Sequence, residues 1–218
     1  LGCMAERMKD VLLESGGVKV VLDNADVYAT VQPKDDAYHI GSKAELEAFA
    51  ALVNGGDTFA GKTVVLDADI DLVGAVWTPI GGLVSYPSVT FAGTFDGQGK
   101  TVSNFTVNET GEYATAGLFG STMGTIENLT VANASIYSTH YAGGIVAYSS
   151  SSASTILNCA VKNSTIVSEP ELIGGSYDNG DKVGGIMGYN GEAGTISNCT
   201  VENVSLKAYR DVGGIVGC

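Results

Sequence analysis

One short phrase recurs along this chain and dictates its architecture. Gly124–Val131 reads GTIENLTV, Ser154–Val161 reads STILNCAV and Gly194–Val201 reads GTISNCTV, with a looser copy, KTVSNFTV, at Lys100–Val107. A second phrase interleaves with the first: AGLFG at Ala116–Gly120, AGGIVAY at Ala142–Tyr148, VGGIMGY at Val183–Tyr189 and VGGIVG at Val212–Gly217. Repetition at this spacing means supersecondary units stacked in one dimension, each burying its apolar face against its neighbours.

Within each unit the apolar residues fall into three short runs. The first is Ile126, Leu129, Val131, matched by Ile156, Cys159, Val161 and by Ile196, Cys199, Val201. The second centres on Ile136, Ile166 and Leu206, and the third on Ile145, Ile186 and Ile215. Three short strands per repeat of roughly 24–40 residues describe one coil of a parallel β-helix. Strand alternation points these residues inward. The predicted fold is therefore all-β, a right-handed parallel β-helix of about four to five coils, its hand following the usual sense of parallel connections.

Two columns of asparagine fit the same frame. Asn104, Asn128, Asn158 and Asn198 share one place in the phrase, and Asn133, Asn163 and Asn203 share another. Each falls where the period-two alternation breaks, as at a bend. Asn tolerates the left-handed backbone, and stacked amides hydrogen-bond from coil to coil. Seven N-x-S/T sequons occur, at Asn104, Asn108, Asn128, Asn133, Asn163, Asn198 and Asn203, and repetition of the bend explains most of them. Cys159 and Cys199 occupy one place in consecutive repeats, with Phe105 and Leu129 read into the same place earlier. They read as buried thiols acting as small apolar residues. Stacked strands also bring such Cα atoms to about 4.8 Å, a separation that a disulfide tolerates.

The stretch ahead of the repeats divides in two. Residues 1–36 form an N-terminal segment, with a short helix expected at Met4–Glu14, alternating strands with a turn at Asp23-Asn24 over Val18–Val31, and a polar connector at Pro33–Asp36. Residues 37–61 hold a clearer helix. Ser42-Lys43-Ala44-Glu45 is a capping box, Leu46, Phe49, Ala50 and Val53 follow at helical spacing, and Asn54-Gly55-Gly56 ends it. A helix with one apolar face, placed just before a stack of strands, is expected to cover the open end of the solenoid. Residues 62–218 are the β-helix itself, which breaks off in mid-phrase at Cys218, so further repeats or domains of the same polypeptide are expected.

Composition excludes some partners. The net charge is −13, from 24 acidic and 11 basic residues. Such a chain lacks the Lys/Arg needed to neutralise nucleic acid or anionic membrane phosphate. No apolar run approaches the ~20 residues of a membrane span. Leu1-Gly2-Cys3 resembles, over three residues only, the end of a bacterial lipoprotein signal, against the plainer reading of a processing boundary.

The phrases resemble the GLUG-motif β-helix repeats of bacterial surface and secreted proteins. The residues that carry the resemblance are AGLFGSTMGTIENLTV at Ala116–Val131, VGGIMGYNGEAGTISNCTV at Val183–Val201, and a lead-in of SKAELEAFAALVNGG, KTVVLDADIDL, WTPIG at Trp77–Gly81 and FAGTFDGQGKTVSNFTV. The resemblance covers Ala37 to Cys218. It implies the β-helix fold and its hand, and an adhesin-like setting or the non-catalytic part of a bacterial metallopeptidase that cleaves immunoglobulin A. The H-E-x-x-H motif of such peptidases is absent, the only histidines being His39 and His140.

Several groups are candidates for chemistry. In VVLDADIDL the apolar Leu66, Ile70 and Leu72 share one face, so Asp67, Asp69 and Asp71 are expected on the other. Clustered carboxylates suit calcium, a hard ion that takes oxygen ligands, or acid/base work on a sugar, against the plain reading of a solvated strand face. One coil carries an insertion, Glu169–Lys182, and insertions in solenoids map to loops on one face. Within it, Tyr177, Asp178 and Asp181 are the candidate binding residues, although Asp178-Asn179-Gly180-Asp181 lacks the full calcium-loop spacing. Asp96-Gly97-Gln98-Gly99 reads as turn chemistry. No carboxylate with an Arg or Lys partner recurs at one height of the stack, so no catalytic constellation is assigned and no cofactor beyond calcium is expected. The leading expectation is a non-enzymatic, extracellular or cell-surface module, binding glycan or an extracellular protein or presenting other domains on a rigid stalk. A carbohydrate-active enzyme and a purely structural stalk or fibre repeat are the alternatives.

Overall fold

The structure, a computed structural model, describes residues 34–82, 89–111, 113–169, 181–192 and 194–218 in full. It also gives the backbone of strands at 12–14, 17–21, 28–31, 33–34, 172–173 and 176–177.

The repeats wind into a parallel β-solenoid of about five turns. A full coil, residues 125–149, holds five short strands rather than the three expected: Thr125–Glu127, Thr130–Ala132, Ser135–Ser138, Tyr141–Gly143 and Val146–Ser149. Two of the expected runs each contain a corner. Asn128 sits between the first pair of strands and Asn133 before the third, both with φ of 53°. The Gly143-Gly144-Ile145 corner divides the last run in the same way.

Strands at equivalent places pair in register from coil to coil and form five rows. Row one stacks Ala37–Ile40, Thr63–Leu66, Thr94–Asp96, Thr125–Glu127, Thr155–Leu157 and Thr195–Ser197. Its inward rungs are Val64, Phe95, Ile126, Ile156 and Ile196, and its outward rungs Thr63, Thr94, Thr125, Thr155 and Thr195. Row two stacks Ile70, Val102, Val131, Val161 and Val201. Row three stacks Val107, Ile136, Ile166 and Leu206. Row four stacks Ala116, Ala142, Val183 and Val212, and row five Phe119, Val146, Met187 and Val216. Burying each Val or Ile side chain contributes about 1.5–3 kcal/mol before the entropy of ordering is set against it. The core is one continuous apolar column because every coil supplies the same rungs.

The looser phrase at Lys100–Val107 takes a different register from the one read in the sequence. Thr101, Val102 and Ser103 pair with Thr130, Val131 and Ala132, and Thr106 and Val107 with Ser135 and Ile136. Asn104 therefore belongs under Asn133, not under Asn128, and Phe105 is not equivalent to Leu129 or the cysteines. N-x-T-V matches either phrase locally. Both alignments bury the places that Val102 and Val107 take, so the strand pairing and not the apolar pattern fixes the register. Below Asn128 lies the turn Asp96-Gly97-Gln98-Gly99, where a Cβ on Gly97 would lie 2.6 Å from the Asn128 carbonyl.

The helix Lys43–Asn54 closes one end of the column. Ser42 caps it by accepting from Glu45 N, and the Glu45 carboxylate returns to the Ser42 hydroxyl and to Gly41 N. Leu46, Phe49, Ala50 and Val53 are buried, as their spacing predicts. Phe49 enters an aromatic plug with Phe59, Phe91 and Phe95, at ring separations of 5.0–5.7 Å. Phe119 extends the plug into the next coil. The strand Tyr28–Val31 lies against this helix.

The N-terminal segment departs from expectation in two places. Leu12–Glu14, the end of the expected helix, is a strand paired antiparallel with Gly17–Val21, which pairs in turn with Tyr28–Val31. In the sequence Val11, Leu12 and Leu13 form an unbroken apolar run, which suits strand as well as helix. Pro33–Lys34 is not a bare connector. It turns through Asp35 and Asp36, both at positive φ, to pair with the first strand of row one. The rest of the expected helix, residues 4–11, and the Asp23-Asn24 turn lie outside the described residues.

Candidate ligand-binding face

Rows four and five press against each other so closely that only glycine fits. A Cβ on Gly143 would lie 2.0 Å from the Val146 carbonyl, and one on Gly184 1.9 Å from that of Met187. The paired glycines of the repeated phrase are therefore a steric requirement of this corner. With glycine at these places the two rows close on each other as a narrow wedge. At its mouth the first residue of row four meets the third of row five, Tyr141 with Tyr148 and Lys182 with Tyr189, and Thr115 and Ser121 hold the equivalent places one coil earlier.

Three tyrosines meet at that mouth. Tyr148 and Tyr189 stack at 5.3 Å and 14°, and Tyr141 lies 5.2 and 5.4 Å from them. All three are half-buried. Lys182 reaches over the Tyr189 ring, 5.8 Å from its centroid, and bonds Asp211 of the next coil at 2.7 Å. That bond holds the Asp211 carboxyl below its ordinary range. Tyr113 and Tyr209, 53% and 64% exposed, stand at the corner that opens row four. Five tyrosines thus gather on one side of the solenoid. Rows one and two carry mainly threonine and other small or polar residues outward.

The insertion leaves the coil at the same corner. Glu169 follows row three, and Leu172–Ile173 and Ser176–Tyr177 pair antiparallel as a small ribbon. Of the predicted binding residues, the Tyr177 side chain and Asp178 lie outside what the structure describes. Asp181 is buried at the entry to row four, where it accepts a hydrogen bond from Tyr209 N and its Oδ1 has no partner among the described residues. Its carboxylate ties the corner together and is not offered to solvent.

The three aspartates of VVLDADIDL turn to different partners. Asp67 faces His39 at 2.8 Å, across the strands of the first coils. Asp69 accepts from Thr101 N at 2.7 Å. Asp71 accepts from Val73 N and from the Asn104 amide at 3.0 Å. Leu66, Ile70 and Leu72 are buried and the three carboxylates exposed, as alternation predicts, while a bend at Asp67-Ala68 parts Asp67 from the other two. Among the described residues no three His, Cys, Asp or Glu side chains form a metal-ligand group.

The asparagine columns are hydrogen-bonded ladders. Asn158 donates to Asn128 and Asn198 to Asn158, with Asp96 accepting at the foot. In the second column Asn133 donates to Asn104 and Asn203 to Asn163, with Asp71 at the foot. Asp71 and Asp96 are functional members of these ladders that the repeat alone did not reveal, since the asparagine phrase is absent at both places. Cys159 is buried and Cys199 half-buried on adjacent rungs, both as free thiols.

A scan against known protein families finds no match. The chain is 30% identical over 191 residues to a segment of halomucin from Haloquadratum walsbyi. That match takes in 82% of this chain and spans 2% of the length of halomucin. Among solved structures, the chain is similar to a Bacteroides ovatus protein provisionally described as an immunoglobulin A1 protease. The likeness covers 84% of this chain and 85% of that one, at 14% identity and a TM-score of 0.40.

Proposed function

We propose that this chain is a non-enzymatic, adhesin-like β-helix module of the GLUG-repeat kind, acting outside the cell or on its surface. Its ligand is a glycan or an extracellular protein, held on the tyrosine-bearing side of the coils. The carrying observation is the gathering of Tyr113, Tyr141, Tyr148, Tyr189 and Tyr209 beside the one insertion of the solenoid. Tyrosine presents large amphipathic contact area with little side-chain entropy to lose, which suits recognition surfaces. The segmental likeness to halomucin and the acidic charge support an extracellular setting.

Binding to a panel of glycans and extracellular proteins, with and without calcium, tests this reading. Saturable retention that falls at least tenfold in Tyr189→Ala, and not in Thr155→Val on the opposite side, is the expected result. Calcium dependence would return attention to Asp67, Asp69 and Asp71. Cleavage of a bound glycan would establish the enzyme reading instead. A folded, monodisperse chain that binds nothing would favour a stalk repeat, which the likeness to a small segment of a much longer protein also supports.

A further inference from the structure

We infer that Cys159 and Cys199 are a redox site, closing into a disulfide that staples two successive coils. The inference stands apart from any ligand. Asn158 and Asn198 stack on adjacent coils through their amides at 3.3 Å, and Ala160 pairs with Thr200. The cysteines between them are therefore held in register from both sides. In-register neighbours lie about 4.8 Å apart at Cα, inside the window of about 4.4–6.8 Å that a disulfide spans. The two side chains also point the same way. Each thiol reaches the backbone carbonyl two residues earlier in its own coil, Leu157 at 3.2 Å and Ser197 at 3.3 Å.

The two thiols differ in a way that orders the reaction. Cys199 is half-buried and Cys159 is 1% exposed. The Cys159 thiol beside it holds the Cys199 thiol below its ordinary range, whereas the same neighbour and burial push Cys159 up. Cys199 is the thiolate that an oxidant meets. With a small-molecule disulfide as oxidant, the Cys199 thiolate attacks one sulfur and expels the other half as a thiolate. The Cys159 sulfur then attacks the Cys199 sulfur of the mixed disulfide, loses its proton and expels the second half. Two protein thiols are oxidised and one small disulfide is reduced to two thiols.

The loop closed by this bond runs from Ala160 to Asn198. It contains the insertion, Lys182 and Tyr189, so oxidation would pin the coil that bears them. The bond also restricts the unfolded chain.

The reduced 218-residue chain, incubated folded with oxidised glutathione and digested without reduction, provides the test. The expected product is a Cys159–Cys199 peptide pair, lighter by two hydrogens than the free peptides. The thermal midpoint should rise on oxidation, and Cys199→Ser should abolish that rise. Cys159→Ser should trap glutathione on Cys199. Glutathione persisting on Cys199 in the folded wild-type protein would overturn the inference. So would survival of both thiols, or a crosslink that forms only in denaturant.

Discussion

At the scale of single residues, the fold depends on a conformation that most side chains avoid. Asn104, Asn128, Asn133, Asn158, Asn163, Asn198 and Asn203 all have φ between 49° and 61°. Left-handed backbone costs an ordinary residue about 1–2 kcal/mol, and each amide bond in the ladder contributes about 0.5–1.5 kcal/mol. Asn158→Ala should lose the tolerance for this backbone and two ladder bonds, lowering unfolding free energy by about 2–5 kcal/mol. Asn158→Gly should lose mainly the amide, so the gap between the two variants in denaturant titration isolates the backbone component. Equal losses would mean that the ladder alone matters. Glu109 is the other informative residue. Burial raises its carboxyl above the ordinary value of 4.5. The folded state therefore holds this proton after the unfolded state has released it, and stability falls as pH climbs from 4.5 through the raised value. Glu109→Gln should remove that fall and be the more stable protein at neutral pH. Urea midpoints for both proteins between pH 4 and 8 check the sign.

At the scale of elements, glycine sets the shape of the wedge. A Cβ on Gly188 would meet the Ala147 and Ala142 carbonyl oxygens at 2.6 and 2.7 Å, both rigid backbone. Nothing lies within 4 Å of one on Gly214. Gly188→Ala should cost about 1–3 kcal/mol through overpacking, and Gly214→Ala should be near neutral. Thermal unfolding of the two single variants makes the comparison. Much of this level is legible in the sequence. The apolar rungs, the helix cap and the asparagine bends follow from periodicity and local chemistry, and Ile126, Val131, Ile136 and Ile145 are buried where alternation puts them. Register is less legible, because N-x-T-V at Asn104 satisfies two alignments until Val102 and Val107 are paired. The tyrosine face is hidden for a related reason. Tyr141 and Tyr148 are separated by a full corner, and only the collapse of the wedge brings their rings to 5.2 Å. Asp67, Asp69 and Asp71 are parted by the bend at Asp67-Ala68 and by partners from other segments, His39, Thr101 and Asn104, which alternation within the strand does not mark.

At the scale of the whole molecule, strands pair from each coil to the next, and a stack of this kind is expected to divide its stability into coil and interface contributions rather than one global term. The end that the helix covers is where this matters most. Phe49 is the residue through which the cap grips the column, packed against rings from three later segments of chain. Phe49→Ala removes those contacts at a cost of about 3–5 kcal/mol. In a globular core that loss would be shared by the entire domain. In a one-dimensional stack it should stay near the cap. Hydrogen exchange is then expected to quicken in Thr63–Leu66 and Thr94–Asp96, while Thr155–Leu157 and Ala160–Lys162 keep their protection. The uncovered strands would also present an unpaired apolar end, and the variant should self-associate more than the wild type on size-exclusion chromatography. Uniform loss of protection along all five rows would show instead that the coils fold as one cooperative body. The tyrosine side would then depend on the cap as well. If the coils are independent, Phe49→Ala leaves Tyr148 and Tyr189 stacked, and ligand retention should survive a change that destabilises the far end of the same chain.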